Sequence, residues 1–195
     1  MADSTSQRQA GPAWRVLLDR ARTTLWPPHA PDHIPSPGLT PEQDRLRRLD
    51  RTRDLLEQTR AALIGGGWTG GAWFAVDAGG GRTRPVSTAE AFDLVSSGAQ
   101  VGATCVVGAI LRLAENPDTA ASIEDAWHCV DELHEAVHER LGHGSFPPGR
   151  IYPHEQRRDH LRVVTGWNDE PGRRVEDVID VVDRAIARTM IAACS

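Results

Sequence analysis

Apolar side chains that return every three to four positions dominate the carboxy-terminal half of this chain, and that spacing commits it to helices packed on helices. The pattern is sharpest at the end. Val175, Val178, Ile179, Val182, Ala185, Ile186, Thr189 and Met190 share one helical face, while Glu176, Asp177, Asp180, Asp183, Arg184 and Arg188 cover the other. Ile123, Trp127, Val130, Leu133, Val137 and Leu141 repeat the spacing earlier, and Gly142 closes that helix. Between the two, a loop from Gly144 to Gly149 leads into a helix over about 153–164 with Leu161 and Val164 facing inward. The segment Gly166-Trp167-Asn168-Asp169 just after it reads as a loop.

Upstream, Thr40-Pro41-Glu42-Gln43 combines a hydroxyl N-cap, Pro at the first helical position and Gln placed to close a capping box. A long helix is predicted from 41 to about 63, ended by Gly65-Gly66-Gly67. Its apolar stripe of Leu46, Leu49, Leu56 and Leu63 is narrow, and its other positions alternate Arg with Asp and Glu. Such pairs contribute only about 0.2–0.5 kcal/mol each. Ala72–Asp77 and Arg82–Val86 flank Gly79-Gly80-Gly81 as the arms of a small hairpin, with Pro85 confining the second arm to an edge. Ser87 and Glu90 form a second capping box for a short helix through Ala91, Phe92, Leu94 and Val95. From Val101 to Ala114 nearly every residue is apolar or small, which predicts a central core helix, its β-branched content leaving a buried strand as the alternative.

The first 40 residues differ in character. Trp14, Leu17, Leu18, Ala21 and Leu25 fall at helical spacing behind Pro12, but residues 27–41 contain six prolines and neither propagate a helix nor pair as a central strand. The expected architecture is therefore mainly α: an amino-terminal extension over 1–40 and one compact helical domain over 41–195 with a single small β-hairpin.

At 195 residues there is room for one ordinary domain, and a formal net charge of -5 gives no cationic surface for a phosphate backbone or an anionic membrane. All 22 basic residues are Arg, which together with the Ala, Gly and Pro content fits coding bias in a GC-rich genome and is not read as function. The apolar run at 105–111 is far shorter than the roughly 18 residues of a membrane span, and the polar amino terminus lacks a secretory apolar region. A cytoplasmic location is expected, with neither nucleic acid nor membrane as partner. Cys105, Cys129 and Cys194 have no CxxC spacing and read as reduced thiols.

One motif carries recognisable chemistry. His134-Glu135-Ala136-Val137-His138 matches HExxH, in which two imidazoles one helical turn apart hold zinc and the Glu acts as general base on bound water. Glu132 and Glu139 flank it with charge, and His143 comes too early for the extended metalloprotease pattern. A third ligand would come from Asp131, His143, His154, Glu155 or His160, by folding and not by spacing. The alternative places His134 at the edge of the apolar stripe with His138 half-exposed, both merely hydrogen-bonded. Cys105 is a candidate nucleophile if a helix N-terminus lowers its pKa, or else a small packed hydrophobe. Trp167, Asn168 and Asp169 read as a structural corner or as the polar edge of a pocket. Gly65–Gly71 with Trp68 reads as a joint and not a phosphate cradle, and the Arg clusters at 45–53 and 157–162 as solvated helix faces.

Gly67-Trp68-Thr69-Gly70-Gly71-Ala72, Cys105-Val106-Val107-Gly108-Ala109-Ile110, Trp167-Asn168-Asp169 and Arg174-Val175-Glu176-Asp177-Val178 together resemble a small domain family of unknown function found in actinobacteria and their phages. The resemblance covers about residues 53–190 and implies a compact single domain. It marks Trp68, Cys105, Trp167, Asn168 and Asp169 as recurring positions and transfers no reaction. The HExxH residues are not part of that pattern, and the first 40 residues lie outside it.

The leading expectation is a non-catalytic helical module that binds a protein or small ligand, with Trp68, Trp167, Asn168 and Asp169 as ligand-binding candidates and no cofactor. The alternative is a metal-dependent hydrolase with zinc on His134 and His138 and Glu135 as base. A third class, a cysteine enzyme, would use Cys105.

Overall fold

The structure, a computed structural model, describes residues 37–87, 90, 94, 101–116 and 118–194. The helix expected behind Pro12, the linker up to Ser36 and most of the helix expected after Ser87 lie outside the described residues. Among the described residues, five helices and a small antiparallel sheet succeed one another as α1 (Pro41–Gly66), β1 (Phe74–Asp77), β2 (Thr83–Val86), β3 (Val101–Thr104), α2 (Val106–Ala114), α3 (Ile123–Arg140), α4 (His154–Asn168) and α5 (Val175–Ala193). The fold is mainly α with one small β element.

α1 begins where its capping box predicts. Thr40 Oγ1 accepts from Gln43 N at 3.2 Å, and Gln43 Oε1 accepts from Thr40 N at 2.9 Å. It ends at Gly67, whose φ of 88° lies where a side chain would be strained. The buried stripe is wider than its leucines suggest. Leu55, Thr52 and Thr59 join Leu49, Leu56 and Leu63, while Leu46 is only half-buried. Each threonine hydroxyl is satisfied by the carbonyl four residues back, Arg48 O at 2.9 Å and Leu55 O at 2.7 Å, so these positions behave as core. On this stripe α1 packs against α5, α2 and α3.

The hairpin forms as expected, with Phe74 opposite Val86 and Asp77 opposite Thr83. The strand order is β2-β1-β3, so Pro85 does lie on an edge strand. β3 departs from the principal expectation of one helix over Val101–Ala114. Its residues pair with β1, and the helix starts only after Cys105. The break falls at a close approach. Cys105 N donates to Trp73 O at 3.0 Å, and a Cβ on Gly108 would stand 2.2 Å from that same carbonyl oxygen. Gly108 thus lets the first turn of α2 sit directly on the backbone that enters β1. Val106 to Leu111 are all buried, and α2 packs on α1, α3 and α4 as the central helix.

Three further expectations shift. Trp167 and Asn168 complete the last turn of α4 instead of lying in a loop, and Asp169 is its C-cap. On α5, Met190 is exposed, while Val181 and Arg188 are buried. Arg48 and Arg157, expected on solvated faces, are also buried. No helix among the described residues is long and apolar enough to cross a membrane.

Candidate functional site

α3 carries Asp131, His134, Glu135 and His138 within two turns, at the offsets that bring side chains onto one face. Its start is set by Ser122, whose hydroxyl accepts from Asp125 N at 3.2 Å while Asp125 Oδ2 accepts from Ser122 N at 2.9 Å. α4 packs along this helix and supplies His160. The His160 ring stacks on His134 with centroids 3.9 Å apart and planes 14° apart. The His138 ring lies 4.2 Å from His134 on a tilted plane, and His143 stands edge-on to His138 at 5.5 Å. One donor atom each from His134, Glu135 and His160 falls within 4.8 Å of the others, the spacing of a group able to hold a metal ion. Of the five third-ligand candidates, His160 is the one that joins this group, and His138 is not a member of it. His154 packs edge-on against Trp127, and Glu155 is exposed.

Each ring of the stacked pair has a carboxylate on its Nδ1. Asp131 Oδ1 lies 2.7 Å from His160 Nδ1, and Glu135 Oε1 lies 3.1 Å from His134 Nδ1. Behind Asp131 sits Arg157, the largest fully buried side chain among the described residues. Its Nε donates to Asp131 Oδ2 at 3.1 Å, Nη1 to Glu124 Oε1 at 2.9 Å and Nη2 to His128 Nδ1 at 3.2 Å. Burial, then the adjacent His134 imidazole, pulls the His138 pKa down, favouring the neutral ring that metal ligation requires.

Glu135 is more committed than the motif implies. Besides the contact with His134, its Oε1 accepts from Tyr152 OH at 2.8 Å and its Oε2 from Phe146 N at 2.7 Å. Burial alone would raise its carboxyl, but hydrogen bonds from His134, Phe146 and Tyr152 outweigh it and hold the pKa at about 2. A carboxylate so satisfied is a weak proton acceptor near neutrality. The flanking acids do similar work. Glu132 Oε1 accepts from Gly149 N at 2.7 Å and Oε2 from Arg188 Nε at 3.0 Å, while Glu139 accepts from Ser145 Oγ at 2.6 Å and also pairs with Arg188. Arg188 then donates to Phe146 O at 2.7 Å. The charges around the motif thus anchor the loop between α3 and α4. The sequence marks neither Arg157 nor Tyr152, because an Arg among other Arg residues and a tyrosine in a loop carry no periodic signal.

The remaining candidates gather elsewhere. Trp68 Nε1 donates to Asn168 Oδ1 at 2.9 Å, and Asn168 Nδ2 donates to Asp169 Oδ1 at 2.7 Å. That same Asp169 oxygen accepts from Gly71 N at 2.9 Å. Asn168 is fully buried, and Trp167 is covered by the Arg173 guanidinium 4.0 Å from its ring. Together these residues tie the loop after α1 to the end of α4. Cys105 lies beside this knot: Val106 N points to Asn168 Oδ1 at 3.5 Å, and Cys105 is the N-cap of α2, its Sγ accepting from Gly108 N at 3.3 Å.

Burial pushes the Cys105 thiol up to about 12 and raises Cys129 well above its usual range, so both stay protonated near neutrality. Iodoacetamide at about pH 7.5, below the pKa of a free thiol, is expected to label exposed Cys194 in the folded chain. Cys105 and Cys129 should react only after denaturation. Rapid labelling of native Cys105, read by peptide mass mapping, would contradict its role as a buried cap.

No curated protein and no solved structure gives a significant match to this chain. The model of a family of unknown function, DUF6197, does match, over residues 47–188, a span that runs from early α1 into α5 and takes in both the histidine cluster and the Trp68–Asn168 knot. The chain is a member of the DUF6197 family.

Proposed function

We propose that this domain is a binding module whose ligand is a divalent transition-metal ion, held by ring nitrogens of His134 and His160, with His138 as the neighbouring further imidazole. The observation that carries the reading is His160. α4 brings it to His134, where donor atoms of His134, Glu135 and His160 meet within 4.8 Å of one another, and Asp131 lies on its Nδ1. Carboxylate-backed histidine is the usual second layer of protein metal sites. A set dominated by imidazole nitrogen suits zinc, nickel or copper and is a poor match for calcium or magnesium, which prefer oxygen.

The hydrolytic reading, with Glu135 as base on metal-bound water, is less favoured. It needs a carboxylate free to take a proton, and Glu135 already accepts from Phe146 N, Tyr152 OH and His134 Nδ1.

Elemental analysis and zinc titration of the full untagged chain test the proposal. About one zinc per chain is expected for the wild type, abolished in His134→Ala/His138→Ala and weakened at least about tenfold in His160→Ala. A wild-type chain that takes up no zinc, nickel or copper overturns it. Zinc uptake unchanged in His160→Ala removes the third ligand from the account.

A further inference from the structure

The glutamate of an HExxH segment is ordinarily expected to face a metal-bound water. We infer instead that Glu135 and Asp131 form a matched pair of positioning residues. Each binds the Nδ1 of one ring of the stacked pair, Glu135 on His134 and Asp131 on His160, and so leaves Nε2 as the basic nitrogen of both rings. The inference rests on the metal-binding reading of this cluster.

The tautomers are dictated by which groups can donate. An ionised carboxylate can only accept, so the ring nitrogen facing it must carry the proton. Asp131 Oδ1 lies 2.7 Å from His160 Nδ1 and Glu135 Oε1 lies 3.1 Å from His134 Nδ1. A neutral imidazole protonated at Nδ1 has its lone pair at Nε2. The rings themselves are 3.9 Å apart, so the same tautomer is set twice on adjacent side chains.

Both carboxylates are held in turn. Asp131 is fixed by the Arg157 Nε at 3.1 Å, and Glu135 by Tyr152 OH at 2.8 Å and Phe146 N at 2.7 Å. Asp131 and Glu135 are four residues apart on α3, with His134 between them, so one helix supplies both orienting groups and one of the oriented rings. Tyr152 also stands edge-on to His160 at 4.5 Å, closing the side of the pair next to the loop. A group that must hold a ring, a phenol and a backbone amide at once is arranged for orientation and not for shuttling a proton.

The direct test is nitrogen NMR of the full chain labelled with ¹⁵N-histidine, metal-free and above the imidazole titration. His134 and His160 are expected as Nδ1–H tautomers, and addition of Zn²⁺ alone should shift their Nε2 resonances and not Nδ1. Glu135→Gln and Asp131→Asn should each weaken zinc binding about 10- to 100-fold, measured by competition with a chromophoric chelator. In each variant the tautomer of the ring it touches should become mixed while the other ring keeps its own.

An Nε2–H tautomer at either ring in the wild type overturns the inference, and that result does not depend on whether the variants fold. So does unchanged zinc affinity in both folded variants. A wild-type chain showing both Nδ1–H tautomers but no zinc uptake overturns the metal reading alone, so the two failures are distinguishable.

Discussion

Replacing Arg157 with alanine is expected to lower the unfolding free energy by about 3–5 kcal/mol, the range seen when one partner of a buried ion pair is removed. The guanidinium is 2% exposed and serves three acceptors, Asp131, Glu124 and His128. Without it the Asp131 carboxylate, 1% exposed, keeps its hydrogen bond from His160 at 2.7 Å but loses its compensating charge. Arg157→Lys should recover only part of the loss, because an ammonium cannot present the planar fork that reaches three groups at once. Urea unfolding of the metal-free chain measures both. A loss below about 1 kcal/mol for Arg157→Ala would mean that this network contributes little more than a surface pair.

The second large effect is predicted at Gly108. Alanine there should be favoured by about 1 kcal/mol on helix propensity alone. The structure reverses that sign. The new Cβ would lie 2.2 Å from the Trp73 carbonyl oxygen and 3.1 Å from its carbon, both backbone atoms that no rotamer change can move. Gly108→Ala is therefore expected to destabilise by about 3 kcal/mol, a melting shift of roughly 6–12 °C for a domain of this size. Gly66→Ala, near the end of α1 with open space around its Cβ position, supplies the control and should stabilise slightly. If both variants behave alike in thermal unfolding, the contact between α2 and the sheet is looser than described.

These two positions mark where sequence reasoning stops. Gly108 has no local feature that separates it from a tolerated helical glycine; its meaning comes from Trp73, far along the chain. That Val101–Ala114 does not form one helix is likewise decided by distant residues. Val101 to Thr104 are apolar or small like the residues of α2, and periodicity alone does not separate a buried strand from a buried helix. Pairing with β1 gives their backbone groups partners and decides the matter. Arg188 and Arg157 read as solvated-face residues because an isolated arginine is usually exposed, yet each has acidic partners on α3 in the interior. Met190 falls on the predicted apolar face of α5, but the core does not extend to it.

The candidate centre divides in the same way. The His134 and His138 spacing is legible, because one helical turn is a local property, and so is the need for a third donor. Which donor it would be, and that Glu135 would be occupied by Tyr152 and Phe146, is not.

What the chain determines by itself is whatever depends on neighbours within about one helical turn: the capping box of α1, the glycine stops, the hairpin and the HxxxH pair. Only the tertiary structure decided which polar groups are buried together. A buried charge or imidazole is tolerable solely when a partner meets it, and those partners lie tens of residues away.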